Sequence, residues 1–379
     1  FTYDPCFHAG AYYVQESSSM FIDAVLSELK KSISLDKVLD LCAAPGGKST
    51  ILLDHLEDHQ FLVSNEILPN RNLVLKENLT KWGFPNFLIT ENKPKDFSKI
   101  SNYFDLILMD APCSGEGLFR KDKNAVNEWS LSAANMCSER QFDIFLSTWN
   151  SLKDGGYLIY STCTYNPDEN EKLIEKLADE GFEFESIPMD IDPQWNIDIV
   201  QTENVTGYRF LPHKVKGEGF FCSILRKKGT YKPSAIKPSR SHINSWLNEF
   251  IFSEKLASYS TYKFKNSLYL APNSLLDELE YLKQHLYTKQ IGIEAGNFKG
   301  NQMDVAHGLT MLTFPFNISP IHLHKPDALQ YLSKGTMNLS EGEHLLAYNK
   351  LPIGYIKAIK GKIENPYPEA WKIKKAAKN

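Results

Sequence analysis

The chain has 379 residues, of which 42% are hydrophobic and 23% charged, a composition typical of globular proteins with two or three domains. Its 42 basic and 46 acidic side chains give a formal net charge of −4, which excludes a uniformly basic nucleic-acid coat and leaves only local basic patches. No apolar stretch approaches the ~20 residues of a membrane span.

Six dispersed cysteines without a CxxC pair indicate neither a zinc site nor a disulfide framework. We therefore expect a cytoplasmic protein without a bound metal. Nothing in the composition demands a partner subunit, so we expect a monomer. Because the chain begins with Phe1 rather than Met, we also expect further residues upstream of it.

Short β-rich runs alternate with longer helical segments between residues 37 and 228, the pattern of an α/β domain with a mainly parallel sheet. The predicted strands are residues 38–41, 61–65, 87–90, 104–109, 157–162 and 219–225. Residues 70–82 and 132–151 are long enough for crossover helices, and Gly155-Gly156 predicts a tight turn before the fifth strand. The last strand follows no long helix, so we expect an antiparallel edge strand.

A run rich in Pro, Ser and Lys after Lys228 predicts a linker between domains. The expected division is a first domain at 1–228, the linker at 229–241, a small α/β linking domain at 242–297 and a last domain at 298–379. Beyond the linker we expect a helix, a strand pair and a second helix, at residues 241–255, 262–271 and 274–286.

The first predicted strand enters a loop of small residues that opens a helix, Cys42-Ala43-Ala44-Pro45-Gly46-Gly47-Lys48. Such a loop lets a ligand approach the backbone closely at the carboxyl end of a sheet. A P-loop requires glycine where Cys42 stands, and the GxGxxG of a dinucleotide fold is missing. S-adenosylmethionine remains, since it has no phosphate to cradle and needs close backbone and a hydrogen-bonding acid.

Glu66 ends the second predicted strand, where a carboxylate can accept hydrogen bonds from both ribose hydroxyls. The alternative is a solvated glutamate at a strand end, and the small-residue loop favours ribose binding over it.

Three reactive side chains follow the fourth and fifth predicted strands, namely Asp110, Cys113 and Cys163. Neighbouring parallel strands would place them around one crevice. A lone cysteine is most often a small buried hydrophobe, but two of them at two strand ends beside an acid indicate chemistry. A thiolate that adds to C6 of cytosine makes C5 nucleophilic toward a methyl sulfonium, provided that a neighbouring group stabilises charge at N3.

The motifs at residues 40–50, 110–117 and 161–171 closely resemble those of the Nop/Sun family of RNA 5-methylcytosine methyltransferases. Within that family the chain is similar to the bacterial RsmF type, which acts on 16S rRNA, and a further matching stretch is 7–16. The resemblance covers nearly the whole chain. It implies a class I (Rossmann-like) methyltransferase domain with a mainly parallel sheet and an antiparallel edge strand, followed by a C-terminal α+β, PUA-like RNA-binding portion.

The resemblance further implies that Cys163 is the nucleophile, that Cys113 assists product release and that Asp110 hydrogen-bonds the cytosine near N3. The residues themselves leave the order of the two cysteines open, since DNA cytosine methyltransferases attack with a Pro-Cys cysteine. The expected cofactor contacts are Cys42, Ala43, Ala44, Pro45, Gly46, Gly47, Lys48, Glu66, Arg71, Asn92, Lys93 and Asp110. Lys93 stands where similar proteins often carry an adenine-binding Asp, so Asn92 or Glu91 would have to substitute.

Basic side chains concentrate in residues 209–240, with a local charge of +8, and in residues 350–379, with +6. We expect phosphate contacts there, the alternative being a solvated basic surface. The expected RNA contacts are Pro112, Arg120, Lys121, Lys214 and Lys216. The candidates for base stacking are Tyr208, Phe210, Tyr367 and Trp371, although aromatic side chains at such positions more often belong to the core.

The expected partner is 16S rRNA or the 30S subunit. The sequence leaves two alternatives open. The chain could carry out the same chemistry on tRNA, or it could be a catalytically weak RNA-binding factor of ribosome assembly.

Overall fold

The computed structural model of the chain describes residues 1–234, 241–251, 253–264, 266–299 and 302–374. Its strands are β1 (Lys37–Asp40), β2 (Phe61–Asn65), β3 (Phe87–Thr90), β4 (Phe104–Asp110), β5 (Leu152–Thr162), β6 (Phe184–Ser186), β7 (Asp198–Gln201), β8 (Thr206–Phe210), β9 (Phe220–Lys227), β10 (Tyr259–Phe264), β11 (Ser267–Pro272), β12 (Thr288–Ile291), β13 (Ile293–Lys299), β14 (Gln302–Val305), β15 (Ile321–His322), β16 (Gly342–Tyr348), β17 (Leu351–Ile359) and β18 (Lys362–Glu364).

The α-helices are α1 (Pro5–His8), α2 (Phe21–Leu29), α3 (Gly47–Asp54), α4 (Pro69–Trp82), α5 (Lys123–Glu128), α6 (Leu131–Thr148), α7 (Glu171–Asp179), α8 (Asn273–His285) and α9 (Lys325–Leu332). Within the described residues, none of these helices has the length and apolar character needed to cross a membrane.

A ten-stranded sheet forms the centre of the molecule, in the order β12-β3-β2-β1-β4-β5-β9-β8-β7, with β6 paired to β9. The five strands from β3 to β5 in this order are parallel, whereas β9 and β12 run antiparallel to their neighbours. The predicted mainly parallel sheet and the antiparallel direction of the strand after the fifth are therefore confirmed. The expected edge position of that strand is wrong, because β9 pairs with β8 as well as with β5. The crossover helices expected at 70–82 and 132–151 are α4 and α6.

The parallel strands are continuous apolar runs because helices cover both faces of the sheet. Leu39, Val63 and Ile107 on three neighbouring strands are fully buried. In register, Asp40 lies opposite Leu108 and Asp110 lies opposite Ser161. The carboxyl ends of β1, β4 and β5 thus meet at one edge of the sheet, and the loops that follow them share that edge.

The tight turn predicted at Gly155-Gly156 is wrong. Strand β5 begins at Leu152, and the two glycines lie inside it, where the register with β4 shifts between Phe104 and Leu106. Gly155 adopts a φ of +73°, a conformation that favours glycine. The glycines therefore allow an irregularity within the strand instead of a turn before it.

The helix predicted at 241–255 is also wrong, since the structure has short 3-10 helices at Ser245–Glu249 and Ser253–Leu256. Tertiary contacts override the helical pattern: Ser241 Oγ donates to the Tyr259 carbonyl, and Ile251 forms a β-bridge with Phe316. The strand pair and helix expected next are confirmed as β10, β11 and α8.

The expected domain borders are crossed by two sheets. Strand β12 extends the central sheet by pairing with β3, and a border after residue 297 would cut through β13, which pairs with β14. Residues 235–240 of the expected linker lie outside the described residues. Its earlier part packs on the first domain, because Tyr231 Oη donates to the Asp105 carboxylate and to the Ser34 carbonyl.

The C-terminal unit is a four-stranded sheet, β15-β16-β17-β18, with α9 packed on it. It contacts the N-terminal segment, where Nδ1 of His8 lies 3.1 Å from Oη of Tyr367. His307 lies in the same interface, with its ring edge-on to Tyr367 and Trp371. Its imidazole is buried, and neither ring nitrogen finds a hydrogen-bond partner among the described residues.

Burial lowers the pKa of His307 to about 3, and the nearby Lys81 ammonium acts in the same direction. Because the unfolded chain regains an ordinary histidine, it binds more protons than the folded chain below pH ~6.5. The contribution of His307 to stability is therefore complete above that pH and is lost as the pH falls toward 3.

We expect the free energy of unfolding to fall by about 2 kcal/mol more between pH 7 and pH 5 in the parent chain than in His307→Leu. Denaturant titrations at the two pH values measure the difference. His213→Leu, at an exposed position, is the control and should keep the parent's pH dependence. An equal pH dependence in the parent and His307→Leu would contradict the expectation.

Candidate active site

The structure brings Cys113 and Cys163 together at the carboxyl edge of the central sheet, with their Sγ atoms 2.8 Å apart. Cys113 follows β4 and Cys163 follows β5, so the parallel pairing of these strands sets the contact. Cys163 is exposed and Cys113 is half-buried. Of the two thiols, Cys163 is thus the more accessible to a substrate.

The two thiols are hydrogen-bonded to each other, and this bond shifts their pKa values in opposite directions. The hydrogen bond from Cys113 lowers the pKa of Cys163, although partial burial and the Asp110 carboxylate oppose this. The same bond, together with desolvation, raises the pKa of Cys113 well above its ordinary value. Lys48 also favours the Cys163 thiolate through its charge. The hydrogen bond therefore makes Cys163 the more acidic of the two thiols and Cys113 the less acidic.

Asp110 is fixed in orientation by two partners. Its Oδ2 accepts from Lys48 Nζ at 2.8 Å, and its Oδ1 accepts from Ser161 Oγ at 2.8 Å. Burial opposes the charge of Lys48, but the attraction of the Asp110 carboxylate outweighs it and raises the lysine's pKa. The ion pair places a cation and an acceptor next to the two thiols.

A cleft of about 280 Å³ opens beside this ion pair. It is lined by Tyr13, Val14, Gln15, Glu16, Ser19, Asp40, Cys42, Ala43, Ala44, Pro45, Gly47, Lys48, Asp110 and Lys121. Most residues of the predicted loop and Asp110 are among them. The structure therefore places most of the loop and the ion pair around one cleft, while Cys113 and Cys163 are not among its lining residues.

Sequence reasoning missed the contribution of the N-terminal segment, residues 13–19, to this cleft. Gln15 Nε2 donates to the Gly47 carbonyl at 2.9 Å, and a Cβ on Gly47 would lie 2.6 Å from Gln15 Oε1. Burial opposes the charge of Glu16, but hydrogen bonds including those from the backbone of Ser18 and Glu218 outweigh it and lower its pKa. The stretch at 7–16 resembles the family, but its residue types do not by themselves indicate a binding site.

Asp40 lies at the base of the cleft and is 1% exposed. Its Oδ2 accepts from Ser49 Oγ at 2.6 Å, while Oδ1 finds no partner within hydrogen-bond distance among the described residues. Burial raises the pKa of Asp40 to about 7 even though Ser49 opposes the shift. A buried carboxyl oxygen without a partner is costly, and a cationic ligand would offset that cost.

Glu66 and Arg71 lie beside the loop but do not line the cleft. Glu66 is 3% exposed, its Oε1 accepts from the Leu68 N–H, and its Oε2 lies 3.3 Å from Arg71 Nη1. Arg71 also donates to the Ala44 carbonyl at 2.6 Å. The Arg71 guanidinium therefore covers Glu66 and links it to the loop.

Asn92 and Lys93 also lie outside the lining. The buried Asn92 amide donates to Asp96 and accepts from the Tyr287 N–H, so it ties the end of β3 to the segment that precedes β12. The Lys93 side chain is exposed.

The basic region at 209–240 is largely neutralised by acidic neighbours. Four of its side chains form ion pairs, namely Arg209 with Glu171, Lys214 with Asp198, Arg226 with Glu185 and Lys227 with Asp154. Lys237 and Arg240 lie outside the described residues. The local excess of +8 is therefore reduced by ion pairs, while Lys216, Lys228 and Lys232 remain exposed.

The Arg120 guanidinium donates to the carbonyls of Pro212, Val215, Lys216 and Gly217. Lys121 pairs with Glu218 at 3.1 Å, so the two basic residues hold the loop that carries Lys214 and Lys216. The Pro112 carbonyl accepts from Gln141.

Of the two alternatives for the aromatic side chains, the core position holds for Tyr208, Phe210 and Tyr367, which are at most 4% exposed. Tyr208 and Phe210 pack on Phe21 in the core of the first domain, and Tyr367 packs on His307. Trp371 is half-buried against the same histidine. No cluster of three or more potential metal ligands occurs in the part of the chain that the structure describes.

Comparisons with known proteins agree with this architecture. Residues 319–373 match the family described as "Methyltransferase RsmF PUA domain". Two relatives named "Ribosomal RNA small subunit methyltransferase F" come from Psychromonas ingrahamii and Pectobacterium carotovorum. The first is 29% identical over 95% of this chain and 78% of its own length. The second is 37% identical over 59% of this chain and 46% of its own length.

Among solved structures, the crystal structure of a protein named PH0851 aligns with a TM-score of 0.53 and 27% identity, covering 59% of this chain and 48% of its own. This likeness supports the Rossmann-like methyltransferase fold of the first domain. The family described as "16S rRNA methyltransferase RsmB/F" matches residues 29–226, more than half of the chain. The chain therefore belongs to the RsmB/F family of 16S rRNA methyltransferases.

Proposed function

We propose that the chain transfers a methyl group from S-adenosylmethionine to C5 of a cytosine in 16S rRNA, through a covalent bond between Cys163 and C6 of the base. The observation that supports this most strongly is the pair of thiols, with Sγ atoms 2.8 Å apart, beside the Lys48–Asp110 ion pair. Two thiols at this spacing suit a reaction that both forms and breaks a carbon–sulfur bond.

The cleft suits S-adenosylmethionine because it combines close backbone with acidic groups. Asp40 offers a buried carboxyl oxygen without a partner to the cationic amino-acid end of the cofactor. Glu66 stays the proposed ribose acceptor, reached when Arg71 moves off its carboxylate. When bound, the cofactor supplies the methyl group on a positively charged sulfur.

In the first step the Cys163 thiolate forms a bond to C6, and the π electrons of the C5=C6 bond move into the ring. N3 takes up a proton from solvent as negative charge accumulates there, and Asp110, held by Lys48 and Ser161, accepts a hydrogen bond from the N3–H. N3 returns that proton to solvent when the product is released. C5 is then nucleophilic enough to accept the methyl group. The geometry favours Cys163 for this attack because it is the exposed, more acidic thiol.

Release requires the loss of the proton on C5, re-formation of the C5=C6 bond and breakage of the bond between C6 and the Cys163 sulfur. Once Cys163 is bonded to carbon, it no longer holds the hydrogen bond that raises the pKa of Cys113. Cys113 can then give its own proton to solvent and accept the proton from C5 as the Cys163 thiolate leaves.

The choice of 16S rRNA rests on the family and on relatives named as small-subunit rRNA methyltransferases. The C-terminal unit matched by the PUA family supports RNA binding. tRNA as substrate and a binding-only role in ribosome assembly are the alternatives, and the experiments below separate them.

We expect Cys113→Ala to retain RNA on the protein after denaturing electrophoresis, because the adduct forms but is not released. Cys163→Ala should form no adduct and should lose methyl transfer by more than about 10³-fold. Cys137→Ala, which changes a thiol on α6 that is not part of the Cys113–Cys163 pair, is the control for thiol loss. An adduct that forms in Cys163→Ala and not in Cys113→Ala would reverse the two roles.

Calorimetry should show that Asp40→Asn weakens S-adenosylmethionine binding by about 10- to 100-fold, since a charge-assisted hydrogen bond is lost. Asp54→Asn on the same helix as Ser49 is a matched control, because Asp54 accepts from Trp82 away from the cleft. Unchanged affinity in Asp40→Asn would remove Asp40 from the cofactor site.

The same carboxyl predicts a pH dependence of cofactor affinity. With a pKa of about 7 before binding, Asp40 is protonated as the pH falls below 7 and then cannot pair with a cation. Affinity should drop about tenfold from pH 8 to pH 6 in the parent. Asp40→Asn should show no such drop, and a parallel drop in both would contradict the assignment.

Tritiated methyl transfer to purified 16S rRNA, 30S subunits and bulk tRNA tests the substrate. We expect label on 16S rRNA or 30S subunits that disappears in Cys163→Ala. Label on tRNA alone would support the proposed chemistry but would identify tRNA instead of 16S rRNA as the substrate. No label together with no cofactor binding would favour the binding-only role.

A further inference from the structure

A buried polar network lies beneath the two thiols and joins the segments that carry them. Its side chains are Gln141 on α6, Tyr160 on β5 and Glu169 in the turn after Cys163, and all three are fully buried. Buried polar groups are retained where their hydrogen bonds fix a geometry that apolar side chains cannot. None of the three has a role in the chemistry described above.

Glu169 and Gln141 hold the Cys113 segment on both sides of the thiol. Oε2 of Glu169 accepts from the Ser114 N–H at 2.9 Å and from Gln141 Nε2 at 2.9 Å. Gln141 Nε2 also donates to the Pro112 carbonyl at 2.9 Å. The residues immediately before and after Cys113 are therefore bonded, directly or through one amide, to a single carboxylate oxygen.

The same glutamate belongs to the segment that follows Cys163. The Glu169 carbonyl accepts from Tyr160 Oη at 2.6 Å, and Tyr160 is part of the strand that leads to Cys163. The Glu169 N–H donates to the Asn166 carbonyl at 3.3 Å. The backbone of Glu169 is thus fixed to the segment that carries Cys163, while its carboxylate binds the segment that carries Cys113.

The second carboxyl oxygen, Oε1 of Glu169, finds no partner among the described residues. Burial raises the pKa of this carboxyl, although the hydrogen bonds from Ser114 and Gln141 oppose the shift. A buried carboxylate with one unpaired oxygen destabilises the folded state relative to an apolar side chain of the same size. The presence of Glu169 at this position is explained if the loop that carries Cys113 has to keep one position.

Cys163 has supports that do not involve this carboxylate. Its carbonyl accepts from the Gly117 N–H at 2.9 Å, and Thr162 Oγ1 in the adjoining strand donates to Asn170 at 2.7 Å. Loss of the Glu169 carboxylate would therefore free the Ser114 N–H and shift Cys113, while leaving Cys163 on its strand.

We propose that Glu169 is a positioning residue that holds Cys113 at its working distance from Cys163, so that its carboxylate supports product release more than nucleophilic attack. This inference rests on the proposed function. It deepens that function by assigning the position of residues 112–114 to one buried side chain, beside the Gly117–Cys163 hydrogen bond that also links the two segments.

The test compares Glu169→Ala and Glu169→Gln with Cys113→Ala in single-turnover methyl transfer and in denaturing gels that detect the RNA adduct. Glu169→Ala should still form the adduct and accept the methyl group, but should release product on the order of 100-fold more slowly, so adduct accumulates as in Cys113→Ala. Glu169→Gln should release product close to the parent rate, because its amide oxygen can take the place of Oε2 and its NH₂ that of the unpartnered Oε1.

Asp168→Ala is the matched control, since Asp168 lies in the same turn but directs its carboxylate to Lys172 on the helix surface. It should release product at the parent rate. Thermal unfolding and cofactor binding, measured on each variant, establish that the fold is kept. Where Glu169→Ala does not fold, Gln141→Leu removes the link to the Pro112 carbonyl and should also accumulate adduct.

A Glu169→Ala protein that folds and turns over at the parent rate would overturn the inference. Equal loss of adduct formation and release would also overturn it, because the carboxylate would then support the site as a whole. If Cys113→Ala itself retains no RNA while the parent methylates RNA, the covalent mechanism fails, and the inference about Glu169 fails with it.

Discussion

The parallel pairing of β4 with β5 is the constraint on which the rest of the site depends. Asp110 and Ser161 lie opposite one another in register, so the segments that follow the two strands leave the sheet side by side. A slip of one residue would turn the alternate side chains to the other face of the sheet and would separate the thiols. The burial of apolar residues on these strands, such as Ile107 and Ile159, therefore fixes the geometry of the chemistry as well as the stability of the core.

The sequence alone predicted the central sheet well because its parallel strands are short apolar runs bounded by turn-forming residues. The strands at 61–65 and 87–90 coincide with β2 and β3. Predictions failed where non-local contacts outweigh local preference. The pattern at 241–255 suits a helix, but a β-bridge between Ile251 and Phe316 holds the segment in another path. The entry of β12 into the central sheet is likewise a pairing between residues distant in sequence.

For the site, the sequence supplied the small-residue loop, both thiols and Asp110 because each is a recognisable motif at a strand end. It did not supply the cleft wall made by residues such as Tyr13 and Gln15, since ordinary polar side chains become part of a cleft only through folding. The local count of basic residues was misleading for a related reason. Counting along the chain cannot show that Arg209 and Lys214 already face acidic partners from other segments.

Strand β12 has a consequence for how the domains can be separated. It covers the outer edge of β3 along Leu88, Ile89 and Thr90 and comes from a segment nearly 200 residues further along the chain. A fragment that ended near the predicted linker would leave the backbone groups of β3 unpaired along an apolar edge, a template for pairing with other chains. The segment that carries β12 thus protects the edge of the central sheet from pairing with other chains. Because this segment belongs to the same chain, every copy of the domain has its edge covered.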